Sequence, residues 1–184
     1  MPTAVAESNS ERCFALPAAL AERGLALRPE TEADIPFLRR LYASTRWDEL
    51  AQIDWSHAQK LAFTDSQFEY QRRHYRAHYA ATEWVVIEDR GVPAGRLYLY
   101  RGSKALEVID IALLPEWRGR GIGTALMQAV CAQARASGKT VRIYVEKFNP
   151  ALRLYRRLGF REISDENVYW LMEWRTGPDQ RAVS

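Results

Sequence analysis

The sequence predicts an α/β (α+β) fold, a mixed central sheet of about 6-7 strands flanked by helices. Three observations carry this reading. Consecutive strand-like segments joined by short turns fill the stretch from Trp84 to Leu113. A glycine run, Gly119 to Gly123, stands between a strand-like and a helix-like segment, and strand and helix patterns then alternate to Trp174. The order reads β-α-α-β-β-β-α-β-α-β.

Residues 1-23 show no clear period and are expected to form a loosely held extension, with a short helical turn around Pro17 to Arg23. Gly24 to Pro29 reads as the first strand. Thr31 and Asp34 then cap an amphipathic helix carrying Ile35, Leu38, Leu41 and Tyr42. Ser44 to Ala81 mixes aromatic and basic residues and is expected to hold two short helices, or a helix and an ordered loop. Trp84 to Glu88, Gly95 to Tyr100 and Ala105 to Leu113 follow as a meander. After the glycine run, Ile122, Ala125, Leu126, Ala129 and Val130 share a helix face that Gly138 terminates. Val141, Ile143 and Val145 alternate as a strand, Ala151 to Leu158 form a helix, and Asn167 to Trp174 form an aromatic-rich last strand.

A chain of 184 residues with 47% hydrophobic and 27% charged residues suits one domain, expected over 24-176 with a tail at 177-184. The net charge of +3 is mild and no long single-sign block occurs, which argues against nucleic acid as a partner. Cys13 and Cys131 have no metal spacing and read as reduced thiols, favouring the cytoplasm. The early apolar run from Phe14 to Ala21 is broken by Pro17 and is too short to span a bilayer, so no membrane association is expected. His74 and His78 lie one helical turn apart but lack a third ligand, so no metal is expected.

The spacing Arg118-x-x-Gly121-x-Gly123 between strand and helix is the chain's most informative feature. Glycines there can take positive φ, so that successive N–H groups converge, and the following helix adds the positive end of its dipole. That combination suits a pyrophosphate. Strict alternation of Gly119, Gly121 and Gly123 excludes the Gly-x-Gly-x-x-Gly dinucleotide fingerprint, and Gly123-Thr124-Ala125 lacks the lysine of a P-loop. The remaining pattern, Arg/Gln-x-x-Gly-x-Gly/Ala, resembles the acyl-coenzyme A loop of the GCN5-related N-acetyltransferases, the GNAT superfamily. Downstream, Asn149-Pro150-Ala151-Leu152-Arg153-Leu154-Tyr155-Arg156-Arg157-Leu158-Gly159-Phe160 is similar to that superfamily's Asn, Ala, Leu-Tyr-x-x-x-Gly-Phe segment. The resemblance covers about residues 24-174.

The resemblance implies the GNAT acyl-CoA N-acyltransferase fold with strands 4 and 5 splayed, acetyl-CoA as co-substrate, and direct attack by a primary amine in a ternary complex. By position, the backbones of Ile111 and Leu113 would bind pantetheine, with the Leu113 N–H polarising the thioester carbonyl. The N–H groups of Arg118, Gly119, Arg120, Gly121, Ile122, Gly123 and Thr124 would hold the pyrophosphate. The Arg118 side chain reads as acting at the loop, through its structure or on phosphate, with a solvent-facing charge as the alternative, and that of Arg120 as either a phosphate ligand or a solvent-facing charge. Tyr155 would protonate the departing thiolate, with core packing as the alternative. Asn149 stands nearer Tyr155 than the superfamily spacing puts it, so a turn and cap competes with a cofactor contact there.

An ammonium must lose a proton before it attacks. Asp110 and Glu107 on the fourth strand and Glu146 after the fifth are the base candidates, and the residues alone do not choose among them. Asp110 is expected to share a strand face with Val108 and Ala112. The acceptor, a small-molecule or a protein/peptide amine, is expected between Trp47 and Tyr79 and at the segment joining the last strands. Glu69 is one residue there able to meet a cation. A non-catalytic acyl-CoA sensor of the same fold is the alternative function. A homodimer through Tyr169, Trp170 and Trp174 competes with their burial within one chain.

Overall fold

In the computed structural model, which describes residues 14–177, seven strands form one mixed sheet in the order β1-β2-β3-β4-β5-β7-β6. The strands are β1 (Leu25–Pro29), β2 (Thr82–Asp89), β3 (Val92–Arg101), β4 (Ala105–Leu113), β5 (Thr140–Glu146), β6 (Arg161–Glu166) and β7 (Tyr169–Trp174). The helices are α1 (Ala18–Ala21), α2 (Ile35–Ala51), α3 (His57–His78), α4 (Ile122–Ala136) and α5 (Leu152–Arg157). β4 and β5 pair in parallel, and α4 supplies the crossover that a parallel pair requires.

Three local features differ from expectation. The stretch from Ser44 to Ala81 holds the end of α2 and one 22-residue helix, α3. Its start is a capping box: Ser56 Oγ accepts from Gln59 N–H at 3.3 Å and Gln59 Oε1 accepts from Ser56 N–H at 2.8 Å. β6 is additional to the expected order, because its mostly exposed residues lack apolar alternation and it pairs along β7 alone. Residues 14–23, expected within the loose extension, pack on the sheet. Phe14 and Leu20 lie in the main core, and Phe14 N–H donates to Glu83 Oε2 at 2.6 Å. Residues 1–13 of that extension, Cys13 among them, and the tail beyond 177 lie outside the described residues.

The two faces of the sheet are covered differently. α4 and α5 bury Leu126, Met127, Val130, Leu152 and Tyr155 against Val108, Val141, Ile143 and Val145. The opposite face carries the smaller cluster Leu38, Leu41, Tyr42, Phe68 and Leu114 beneath α2 and α3, supplemented by ion pairs. Arg28 grips both oxygens of Asp34 at 2.6 and 2.8 Å and donates to Glu88 at 2.6 Å, fixing the start of α2 to β1 and β2. Trp174 is buried and Trp170 packs on the main core, whereas Tyr169 is exposed.

Between β4 and β5 the pairing stops early. It runs from Ala105 opposite Thr140 to Val108 opposite Ile143, after which β4 continues to Leu113 and β5 to Glu146 without each other. A bulge puts the register shift opposite Tyr98 and Leu99, leaving Ile109 without a partner on β3. Strands 4 and 5 are therefore splayed. Further along, a Cβ on Gly95 would collide with Ala112 O, so only glycine allows β3 this close to β4.

The bulge also corrects one expectation. Val108 pairs with Leu99 and packs in the core with it, whereas Asp110 pairs with Tyr98 and meets Tyr75 of α3. Asp110 thus shares its face with Glu107 and Ala112 instead of Val108, because the extra residue Ile109 shifts the alternation.

Candidate active site

The glycine loop begins with a 3-10 turn at Pro115–Trp117, and Arg118 N–H closes it on Pro115 O at 3.1 Å. The Arg118 N–H is therefore unavailable to an anion. The N–H groups of Gly119 to Thr124 have no acceptor among the described residues. Gly119 and Gly121 take φ of 71° and 78°, and Gly121 caps α4 with no side-chain acceptor and no acidic residue in the first turn. A Cβ added at Gly119, Gly121 or Gly123 would meet nothing within 4 Å, so the cradle has room for a ligand. Ile122 is anchored in the core by its side chain and offers only its backbone.

Arg118 braces this loop. Its Nε donates to Leu113 O at 2.8 Å, and one terminal nitrogen reaches Ser44 O at 3.3 Å and Ser44 Oγ at 3.1 Å, tying β4, the loop and α2 together. Arg120 is exposed, and its carbonyl accepts from Arg23 at 3.0 Å. Leu114 N–H turns to β3, where it donates to Ala94 O at 2.9 Å. Alternation along the strand then turns the N–H groups of Ile111 and Leu113 toward the gap beside β5.

On the α2 and α3 side, the end of β4–β5 pairing opens into a cavity of about 480 Å³. Its floor includes Glu107 on β4 with Arg142 and Tyr144 on β5, whose alternate residues Val141, Ile143 and Val145 face the core. Its wall is rich in tyrosine: Tyr42, Tyr70, Tyr75, Tyr79, Tyr144 and Tyr169.

The acidic candidates occupy different environments. Asp110 accepts from the buried Arg96 at 2.7 Å and lies 3.5 Å from Tyr75 Oη. Glu146 receives both terminal nitrogens of Arg46 at 2.6 and 2.9 Å. Glu69 pairs with Arg39 at 2.6 Å. Glu107 lines the cavity with no hydrogen bond or ion pair among the described residues. Burial, followed by the charge of Glu107, pushes the Tyr79 phenol upward.

Tyr155 is 5% exposed and packs edge-on against Phe160, with ring centroids 5.7 Å apart. Burial first, and the negative charge of Asp110 second, raise its pKa, so the phenol stays protonated across the neutral range. Asn149 is drawn into local structure: its Oδ1 accepts from Ala151 N–H at 2.9 Å, and its carbonyl accepts from Leu152 N–H at 3.1 Å. Cys131 is buried in α4, and burial pushes its thiol up to about 12, far from a thiolate nucleophile at neutral pH. The rings of His74 and His78 lie 4.2 Å apart, and no group of three or more metal-ligating residues surrounds them among the described residues.

The family described as Acetyltransferase (GNAT) family matches residues 46–160. The chain belongs to the GNAT acetyltransferases. This GNAT chain is 39% identical over 66 residues to an N-alpha-acetyltransferase of Sulfurisphaera tokodaii, a match covering 34% of this chain and 40% of that protein. It is 32% identical over 62 residues to a glucosamine 6-phosphate N-acetyltransferase of Trypanosoma brucei brucei, covering 33% and 42%. The matches span less than half the length of either relative. Among solved structures, the PaiA N-acetyltransferase of Thermoplasma acidophilum in complex with coenzyme A aligns with a TM-score of 0.63 at 17% identity, over 83% of this chain and 99% of that one. At that identity the likeness concerns the GNAT fold alone. Among the described residues, no helix is long and apolar enough to cross a membrane.

Tyr70, Tyr75 and Tyr79 of this wall fall in the stretch from Trp47 to Tyr79 where the acceptor is expected, whereas Tyr42, Arg142 and Tyr144 lie outside it. Their signal was present: on α3, Gln67, Gln71, His74 and Tyr75 recur at helical spacing, and on β5, Arg142 and Tyr144 alternate with the core valines and isoleucine.

Proposed function

We propose that the chain transfers an acetyl group from acetyl-coenzyme A to a primary amine by direct attack in a ternary complex. One observation carries the reading: the early end of β4–β5 pairing leaves Ile109 to Leu113 of β4 unpaired on the β5 side, between the unpartnered N–H groups of Gly119 to Thr124 and the cavity holding Glu107. The donor set fits the co-substrate, since turn and helix-terminal N–H groups suit a pyrophosphate and an unpaired strand edge suits an amide-bearing arm. The coenzyme A complex of the PaiA enzyme agrees with this choice of donor.

In this reading the loop from Gly119 to Thr124 binds the pyrophosphate while Ile111 and Leu113 pair with pantetheine. Bound acetyl-coenzyme A supplies an activated thioester. The Leu113 N–H donates to its carbonyl oxygen, where negative charge grows during attack. Glu107, the cavity carboxylate with no arginine hydrogen-bonded to it among the described residues, accepts a proton from the ammonium directly or through water. Tyr155 donates its phenolic proton toward the departing sulfur. Asp110, bound to Arg96, acts in positioning. The domain is proposed to span 24–176, with 14–23 packed on it, and the site to work in the cytoplasm.

Thiol release from acetyl-coenzyme A, followed with the full chain over several amine classes, tests the reading. Release that depends on one class of amine, with the acetylated amine identified by mass spectrometry, is expected. Hydrolysis at one rate whatever amine is present would contradict it.

A further inference from the structure

The charged groups around the cavity do not suit every amine. Arg46 is engaged at both terminal nitrogens by Glu146. Arg142 binds Glu173 through Nε alone, at 2.6 Å, and its two terminal nitrogens have no hydrogen-bond partner among the described residues. Glu173 holds Arg142 at that edge: its side chain is 1% exposed and also receives Arg175. Burial works against the Glu173 charge, but hydrogen bonds from Arg142 and Arg175 keep its pKa below the usual range.

Glu107 and Arg142 are register partners across β4 and β5, on the cavity face, and form no ion pair with each other. Neighbouring strands put such side chains roughly 5 Å apart at their bases. An open carboxylate and an open guanidinium fork thus stand side by side at the point where the strands separate.

We propose that the acceptor is a primary amine that also bears an anionic group, carboxylate or phosphate, with its ammonium at Glu107 and its anion at Arg142. The proposal rests on the acetyltransferase reading above. The fork geometry of a guanidinium matches either anion through paired N–H donors. A second ammonium, as in a diamine, finds no second open carboxylate: Glu146 is neutralised by Arg46, and Asp110 by Arg96. It meets Arg142 instead. The tyrosine hydroxyls add neutral hydrogen-bonding capacity without favouring either sign.

Thiol release by the full chain is compared for matched acceptors: an amino acid, its amide, an aminoalkyl phosphate, the corresponding amino alcohol, and a diamine. The acid-bearing member of each pair is expected to show at least tenfold higher kcat/KM, through KM, than its uncharged counterpart. The carboxylate and phosphate arms identify which anion is used. In Arg142→Gln that ratio is expected to fall toward one, with Arg142→Lys partly restoring it, a change that loss of packing alone does not produce. Preference for the diamine or for the uncharged partners in the wild type overturns the proposal and leaves the acetyltransferase reading standing. A wild-type ratio unchanged by Arg142→Gln also overturns it. No amine-dependent release with any acceptor overturns both.

Discussion

On the α4 side of the β4–β5 gap, the groups left open are backbone N–H groups, from Gly119 to Thr124 and at Ile111 and Leu113. On the α2 and α3 side they are side chains from several elements, among them Glu107, Arg142, Tyr75, Tyr79 and Tyr144. Backbone donors are fixed by a few φ angles and a capping glycine, so they survive most side-chain changes. A wall of side chains changes with each substitution. On the proposed function, the difference teaches where selectivity would reside: the fold would set the donor, and the individual side chains the acceptor.

The largest effect expected at the boundary between the two sides is at Tyr155. Tyr155→Phe should lower kcat about 10²–10³-fold while the acetyl-coenzyme A affinity measured by calorimetry stays nearly constant. Equal losses in both would place Tyr155 in binding. On the acceptor side, Glu107→Gln should reduce kcat/KM for the amine about 10²-fold, again without weakening the donor. Unchanged amine kinetics would remove Glu107 from the chemistry.

The next effect concerns the support beneath the acceptor helices. The Arg28 fork, followed by hydrogen bonds from Thr31, lowers the Asp34 pKa from 3.8 to about 2. The folded state therefore prefers the ionised carboxylate, which adds ~2 kcal/mol of stability above pH 4. That contribution declines as the pH falls from about 4 through 2. Urea denaturation should show Asp34→Asn less stable than wild type by ~2 kcal/mol at pH 7, the gap narrowing at pH 3. A gap independent of pH would show that the ion pair is not its origin.

The smallest effect is on the donor side. Arg118→Ala removes the brace to Leu113 O and Ser44 but none of the proposed pyrophosphate donors. Acetyl-coenzyme A affinity should fall about tenfold or less, measured by calorimetry.

The same division explains what was legible in the sequence. The glycine loop and the start of α4 follow from local spacing, because turns and helix starts are written in adjacent residues, whereas the splayed strands and the candidate Tyr155 follow from the resemblance to the GNAT superfamily. The cavity was legible only in the stretch from Trp47 to Tyr79. Its floor depends on the register of Glu107 with Arg142, and its upper wall on a long helix whose capping signal at Ser56 and Gln59 was passed over. The bulge at Ile109 reversed the face assigned to Val108, since a strand's alternation cannot reveal an inserted residue. The carboxylates were separable only once their arginines were located, Arg96 fourteen residues from Asp110 and Arg46 one hundred from Glu146.

The central claim is that the cradle from Gly119 to Thr124 binds acetyl-coenzyme A. Calorimetric titration of the wild type and of Gly121→Glu tests it most directly. Glutamate there introduces a negative charge and a strained φ at the head of α4 while its Cβ meets no neighbouring atom, so the fold should persist. The account predicts saturable one-to-one binding to the wild type and at least 100-fold weaker binding to a folded variant; equal binding to both, or none to the wild type, would contradict it.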